Sequence, residues 1–269
     1  MTDPLQSEER LNRFLARAGV ASRREADRLI QDGRVTVNGA AVHEPGARVR
    51  PEADAIKVDG KRIARIPPPV YILLNKPRGV VSTMEDPQGR PSVGDLLKAI
   101  PGKPVPAGRL DYDTEGLLFC TNDGEMVNRL LHPRYHVRKV YHAKVKGIPE
   151  SQALARIAAG VVLDGRKTQP AQVSFLKMGQ RNVWLKVILY EGRKHQIKRM
   201  LATYGITVIK LVRVALGPLS LGHLPAGAWR KLRPDELARL QKYLAELDKA
   251  RRPFHNRPKK AMTRGRAAR

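Results

Sequence analysis

The densest group of side chains able to do chemistry is Gly108-Arg109-Leu110-Asp111-Tyr112-Asp113-Thr114-Glu115-Gly116, which runs directly into the apolar stretch Leu117 to Thr121. Carboxylates stand at alternate positions, Asp111, Asp113 and Glu115, in a glycine-bounded loop tethered to a strand. Such a loop can hold a carboxylate rigidly and leave it open to a ligand, as a nucleophile or general base requires. Asp and Gly are also ordinary turn formers, so from spacing alone an acidic surface turn is the favoured reading of the same residues.

A carboxylate repels a phosphate backbone unless a cation compensates it. The segment Tyr190 to Met200 offers cations. Ile197, Met200, Leu201 and Tyr204 recur at helical spacing and define an apolar face, leaving Arg193, Lys194, His195, Lys198 and Arg199 off it. One of these basic groups is expected to pair with Asp111, keeping it ionised and its pKa low; the plainer reading is a basic helix facing phosphates. His132, His136, His142 and His195 match no zinc or two-histidine spacing, and Cys120 is the only thiol, so no metal is expected. Gly192-Arg193-Lys194 lacks the long glycine frame of a phosphate-cradling loop, and no dinucleotide fingerprint is present.

These residues need elements to position them. From Val70 to about Ala250 strands dominate: Tyr71 to Leu74, Gly116 to Thr121, Val140 to Val145, Val183 to Tyr190 and Thr207 to Val214 are β-branched or apolar runs bounded by Gly, Pro or Asn. Helices fall between them, one after Asn122-Asp123-Gly124, one across KHQIKRMLATYG and a last one from Pro234 to Ala250. The pattern predicts an α+β domain with a mainly antiparallel sheet, not a βαβ repeat.

Ahead of it lies a smaller module. LNRFLARAG reads as an amphipathic helix, Ser22-Arg23-Arg24-Glu25 as a capping box opening a second one, and the Asn38-Gly39 and Asp59-Gly60 dipeptides as two hairpin turns. Arg13, Arg17, Arg23, Arg24 and Arg28 give its helices cationic faces. The division is therefore residues 7–64 for the module, 65–69 for a proline-stiffened linker, 70–250 for the larger domain and 251–269 for a basic tail too poor in bulky apolar side chains to fold.

Composition narrows the partner. In 269 residues, 51 Lys and Arg against 25 Asp and Glu leave a net charge of +26, which calls for a polyanion. Aromatic residues make up only 5% of the chain, so base stacking must rest on a few rings. A single cysteine suits a reducing compartment, the polar opening MTDPLQSEER is no signal peptide, and no run approaches the ~18 apolar residues of a bilayer span. A cytoplasmic protein without a membrane partner is expected.

The chain resembles the bacterial ribosomal pseudouridine synthases that carry an N-terminal alpha-L RNA-binding domain, a family whose A type serves the small ribosomal subunit, and whose B type serves the large one. The similarity spans about residues 9 to 248. Leu11 to Gly39 resembles the alpha-L domain, and LNKPRGVVST, GRLDYDTEGLL with TNDGE, KVYHAKVKG and EGRKHQIKRM follow the catalytic domain's motifs in order. TMEDPQGRPSV and TNDGEMVNRLLHP look closer to the B type.

The resemblance implies roles. Asp111 would be the nucleophile, with Asp113 and Glu115 structural; Tyr141 would stack on the target base; Lys198 would be the basic partner of Asp111, with Arg199 as an alternative. Arg109, Arg193, Arg199, Arg13, Arg23 and Arg24 would contact the RNA. The implied reaction isomerises a uridine of ribosomal RNA, the large subunit favoured, on naked RNA or an assembly intermediate of the ribosome, by a monomer and without a cofactor. A paired uridine is shielded, so it would be flipped out of its helix. The competing expectations are a small-subunit synthase, a non-catalytic RNA-binding ribosome-assembly factor, and a carboxylate glycoside hydrolase, which the excess of basic residues and scarcity of aromatics oppose.

Overall fold

The computed structural model describes residues 8–63 and 66–250; the tail expected from 251 onward, Ser7, and Ala64 and Arg65 of the linker region lie outside them. In the first part a short strand, β1 (Glu9–Arg10), leads into helix α1 (Leu11–Arg17), and α2 (Arg23–Gln31) follows. Leu11, Phe14 and Leu15 on α1 meet Ala26 and Ile30 on α2 over a shared buried core. The capping box forms as the sequence predicts: Ser22 Oγ accepts from the Glu25 amide, and the Glu25 carboxylate accepts from the Ser22 amide, both at 3.3 Å.

Strands β2 (Val35–Val37), β3 (Ala40–Ala41), β4 (Arg48–Val49), β5 (Ile56–Val58) and β6 (Lys61–Arg62) complete this part. β4 pairs with β1, and the other four form an antiparallel sheet in the order β3-β2-β5-β6. Both hairpin turns lie where the dipeptides place them, with positive φ at Asn38, Gly39, Asp59 and Gly60, as a primed two-residue turn demands.

The larger part comprises β7 (Tyr71–Lys76), α3 (Val93–Leu97), β8 (Val105–Pro106), β9 (Thr114–Thr121), α4 (Gly124–Leu131), β10 (Lys139–Lys146), α5 (Ser151–Ala158), β11 (Val162–Leu163), β12 (Arg166–Lys167), β13 (Gln172–Met178), β14 (Asn182–Leu189), α6 (Gln196–Ala202), β15 (Val208–Leu216), β16 (Leu219–Ser220), β17 (Trp229–Lys231) and α7 (Pro234–Ala250). The main sheet runs β13-β14-β10-β15-β9-β7-β17, with β16 and β8 paired to β15 and β9. Every pairing in it is antiparallel except β9 with β15. The α+β expectation is met. No helix among the described residues is long and apolar enough to cross a membrane.

Alternation along the central strands covers both faces of this sheet. Ile72, Leu74, Leu118 and Cys120 pack beneath Val93 and Leu97 of α3, while Leu73, Leu117 and Phe119 pack against Met126 and Leu130 of α4 and Leu240 and Leu244 of α7. A separate core joins β10 and β14 to α5 and α6 through Val145, Leu185, Leu154, Ile197 and Met200. Strand β15 lies between the two halves, with Leu211, Val212 and Arg213 opposite Thr114, Glu115 and Gly116 of β9, and Arg213 opposite Tyr141 of β10 on its other side.

Candidate active site

The carboxylate loop is held from one side by the last residue of β7 and the chain that follows it. Lys76 Nζ donates to the Thr114 carbonyl at 2.9 Å, the Gly79 amide to the Tyr112 carbonyl at 2.8 Å, and Ser82 Oγ to the Leu110 carbonyl at 2.7 Å while accepting from the Leu110 amide at 3.0 Å. Backbone groups of alternate residues, 110, 112 and 114, are thus fixed by the LNKPRGVVS segment. The intervening side chains at 111, 113 and 115 each meet a basic side chain from α6, its N-terminal cap or β15. His195 Nε2 lies 3.5 Å from Asp111 Oδ1, the Lys198 ammonium bonds to the Asp113 carboxylate, and Lys210 Nζ lies 2.9 Å from Glu115 Oε2.

The expected pairing of Lys198 with Asp111 does not form. His195 caps α6 in a left-handed conformation, φ 51°, and its ring occupies the place beside Asp111, so Lys198, one turn further on, reaches Asp113 instead. Partial burial works to raise the Asp113 pKa, but the bond and charge of Lys198, with help from Arg78, outweigh it and hold the carboxyl below its usual value.

Asp111 is partly buried in the wall of a pocket that also contains Tyr141, Leu189, Lys139, His195 and Arg213. The Tyr141 ring packs at the junction of two apolar cores and remains partly exposed where it lines the pocket. A carboxylate on an anchored loop, an aromatic ring and cations in one recess can receive a flat heterocycle attached to a sugar.

Lys76 is buried completely. Burial pulls its pKa down to about 8 against the opposing charges of Asp113, Asp111 and Glu115.

The predicted RNA-contacting arginines divide. Arg109 is exposed on the pocket rim, and Arg23 and Arg24 are exposed on the first turn of α2; none of the three has an ion pair among the described residues. Arg13 lies 3.8 Å from a Glu9 oxygen and 3.6 Å from one of Glu125. Arg193 and Arg199 are engaged within the protein. Arg193 spends its guanidinium on the backbone carbonyls of Arg166 at 2.8 Å and Lys167 at 2.7 Å, tying the entry of α6 to the β11–β12 hairpin. Arg199 grips Asp164 of that hairpin with two bonds, 2.9 and 2.6 Å, and takes no part beside Asp111.

Three cations at or under the pocket are given no role in the sequence reading: Lys76 and Lys139, which lie within LNKPRGVVST and KVYHAKVKG, and Arg213, which lies in none of the quoted motifs. The available signal is a charged residue interrupting an apolar strand, most visibly Arg213 within LVRV.

Comparison with known proteins extends this geometry. A family model described as RNA pseudouridylate synthase matches residues 70–203, and one for the S4 domain matches residues 9–54. The chain is 46% identical over 235 residues to the ribosomal large subunit pseudouridine synthase B of Bacillus subtilis, covering 87% of this chain and 96% of that protein. An uncharacterized RNA pseudouridine synthase of Aquifex aeolicus is 45% identical over 236 residues, covering 87% and 94%. Among solved structures, a pseudouridylate synthase crystal structure superposes with a TM-score of 0.61 at 33% identity, covering 86% of this chain and 99% of that one.

Proposed function

Because this chain belongs to the RNA pseudouridylate synthase family and carries an S4 domain ahead of the catalytic part, we propose that it isomerises one uridine of large-subunit ribosomal RNA, with Asp111 as the nucleophile and Tyr141 as the platform for the base. The observation that carries the residue assignment is the anchored loop: it presents Asp111 to the pocket that Tyr141 shares, while Asp113 and Glu115 on the same loop are engaged by lysines. Lys198 acts as a positioning residue through Asp113, fixing the far side of the loop.

The reaction breaks the N1–C1′ bond of a flipped-out uridine, turns the uracil in place and forms a C5–C1′ bond, after which the C5 proton is lost and N1 is protonated. Product and substrate have the same composition, so no oxidant, reductant or group donor is consumed. Asp111 serves either by adding to C1′ or by removing the neighbouring sugar proton. Tyr141 replaces the stacking that the base loses on leaving its helix. Exposed arginines of the S4 domain and Arg109 at the rim supply phosphate contacts, which position the RNA, and the pocket selects the base.

Mapping pseudouridine in both ribosomal RNAs from cells with and without the gene tests this reading. One large-subunit uridine should lose its modification without the gene and regain it when wild-type protein, but not Asp111→Asn, is supplied. A change confined to small-subunit RNA would overturn the substrate, and restoration by Asp111→Asn would overturn the nucleophile.

A further inference from the structure

Arg213 is 4% exposed and sits in the apolar strand β15. Its Nε donates to the Leu117 carbonyl at 2.7 Å, whereas Nη2 is shut off from solvent with no partner among the described residues, and no carboxylate there forms an ion pair with it. On one side its register neighbour is Gly116, at the start of the strand that continues the carboxylate loop; on the other it is Tyr141. Lys139, two residues before Tyr141 on β10, lines the same pocket and donates to the Val137 carbonyl at 2.9 Å. Burial and the charge of Arg213 together lower the Lys139 pKa to about 8, with only Glu191 opposing.

Two cations therefore share one recess, and neither is in an ion pair with the Asp111 or Glu191 carboxylates that line it; a buried guanidinium with an unpartnered nitrogen is costly unless an anion arrives. Phosphates have exposed cations at the rim in Arg109 and Lys194, both accessible to a hydrated diester. Behind that rim the recess is lined by Tyr141, Lys139 and Arg213, and a base turned in from the rim would lie against them. Uracil is neutral while attached to the sugar, but the electron pair of the N1–C1′ bond leaves with it, and the detached ring is an anion with charge spread over its carbonyl oxygens. A cation placed against that ring interacts more strongly after cleavage than before, which is the condition for accelerating the step.

We propose that Arg213, with Lys139 beside it, stabilises the uracil anion between N1–C1′ cleavage and C5–C1′ bond formation. This rests on the isomerase reading above and adds a residue to it. The electron pair returns through C5 to make the new bond, so the two cations take up no electrons and are unchanged at the end.

The test compares full-length wild type, Arg213→Met and Arg213→Lys on large-subunit RNA transcribed with uridine or with 5-fluorouridine, whose electron-withdrawing fluorine makes the base a better leaving group without help. Single-turnover glycosidic cleavage by Arg213→Met should be slower by roughly 100- to 1,000-fold on uridine RNA. Its RNA dissociation constant should stay within about threefold of wild type, and the defect should shrink by about tenfold or more on the fluorinated RNA. Arg213→Lys should fall between. Equal defects on both RNAs would overturn the proposal, as would a loss that appears in binding instead of rate. If Arg213→Met does not fold, Lys139→Met faces the same comparison. Activity of the wild type on small-subunit RNA alone would sink the substrate assignment, and the same variants on that RNA would still decide the role of Arg213.

Discussion

Lys198 bonds to Asp113, two residues beyond Asp111, and leaves Asp111 facing the His195 imidazole at 3.5 Å. The loop thus carries one carboxylate whose neighbour is a polarisable ring and two whose neighbours are lysines. Removing Lys198 as Lys198→Met should slow the reaction, and Asp113→Asn should absorb most of that loss because the lysine acts through Asp113. In thermal unfolding the pair's coupling should stay below about 1 kcal/mol, since Asp113 is half exposed. A double-mutant cycle read in both rate and stability decides it: if Lys198→Met costs its full amount in the Asp113→Asn background, the lysine reaches Asp111 directly.

Asp111→Asn keeps the shape of the side chain and removes its charge. Product formation on ribosomal RNA should vanish, while RNA affinity should change by no more than about 1 to 2 kcal/mol, the scale of one charge-assisted contact. Nucleoside mass spectrometry and a binding titration measure the two quantities, and normal pseudouridine levels in the mutant would exclude the assignment.

Arg23 and Arg24 project from the start of α2 with no ion pair among the described residues. Replacing both with Ala should weaken RNA binding without altering the single-turnover rate at saturating enzyme. The slope of log affinity against log salt should fall by about 0.7 to 0.9 for each phosphate contact removed. An unchanged slope would mean that this face of the S4 domain meets no phosphate.

Alkaline pH should stabilise the fold through Lys76. Its native pKa is about 8 against an ordinary 10.5. Between those values the unfolded chain holds a proton that the native state has shed, so stability from this group rises as pH climbs from 8 to 10.5. Relative to Lys76→Met, wild type should gain roughly 1 to 3 kcal/mol across that window in denaturant unfolding. A difference that stays flat with pH would show that Lys76 titrates normally.

Much of this fold is legible in the chain's short-range signals. The Ser22 capping box, the two primed turns and the apolar face of Ile197, Met200 and Leu201 all depend on residues within one turn of each other. The carboxylate loop and Tyr141 are visible as motifs. Other elements lack such a signal. β13 is an edge strand whose Phe175, Leu176 and Met178 are all exposed, so its apolar residues show no alternation. The partner of Lys198 differs from the expected one because helical spacing tells which side chains leave the apolar face, not which loop residue each one meets. That match is set by strands far apart in the chain. Arg213 is hidden for the same reason: alternation in LVRV reads as one wet face, whereas strand pairing on both sides and covering helices bury it.

The parallel pairing of β9 with β15 has a consequence for how the enzyme comes into being. Gly116 of β9 lies so close to β15 that a methyl group there would sit 2.3 Å from the Arg213 carbonyl oxygen, so the two strands meet without room for adjustment. Almost a hundred residues separate these partners along the chain, and contacts between distant segments form late. During synthesis, the carboxylate loop therefore leaves the ribosome long before the strand that completes its surroundings. A nascent chain that stops short of β15 owns every residue of the GRLDYDTEG motif but lacks the strand that joins it to the Tyr141 half of the sheet, so the pocket is complete only once β15 has docked.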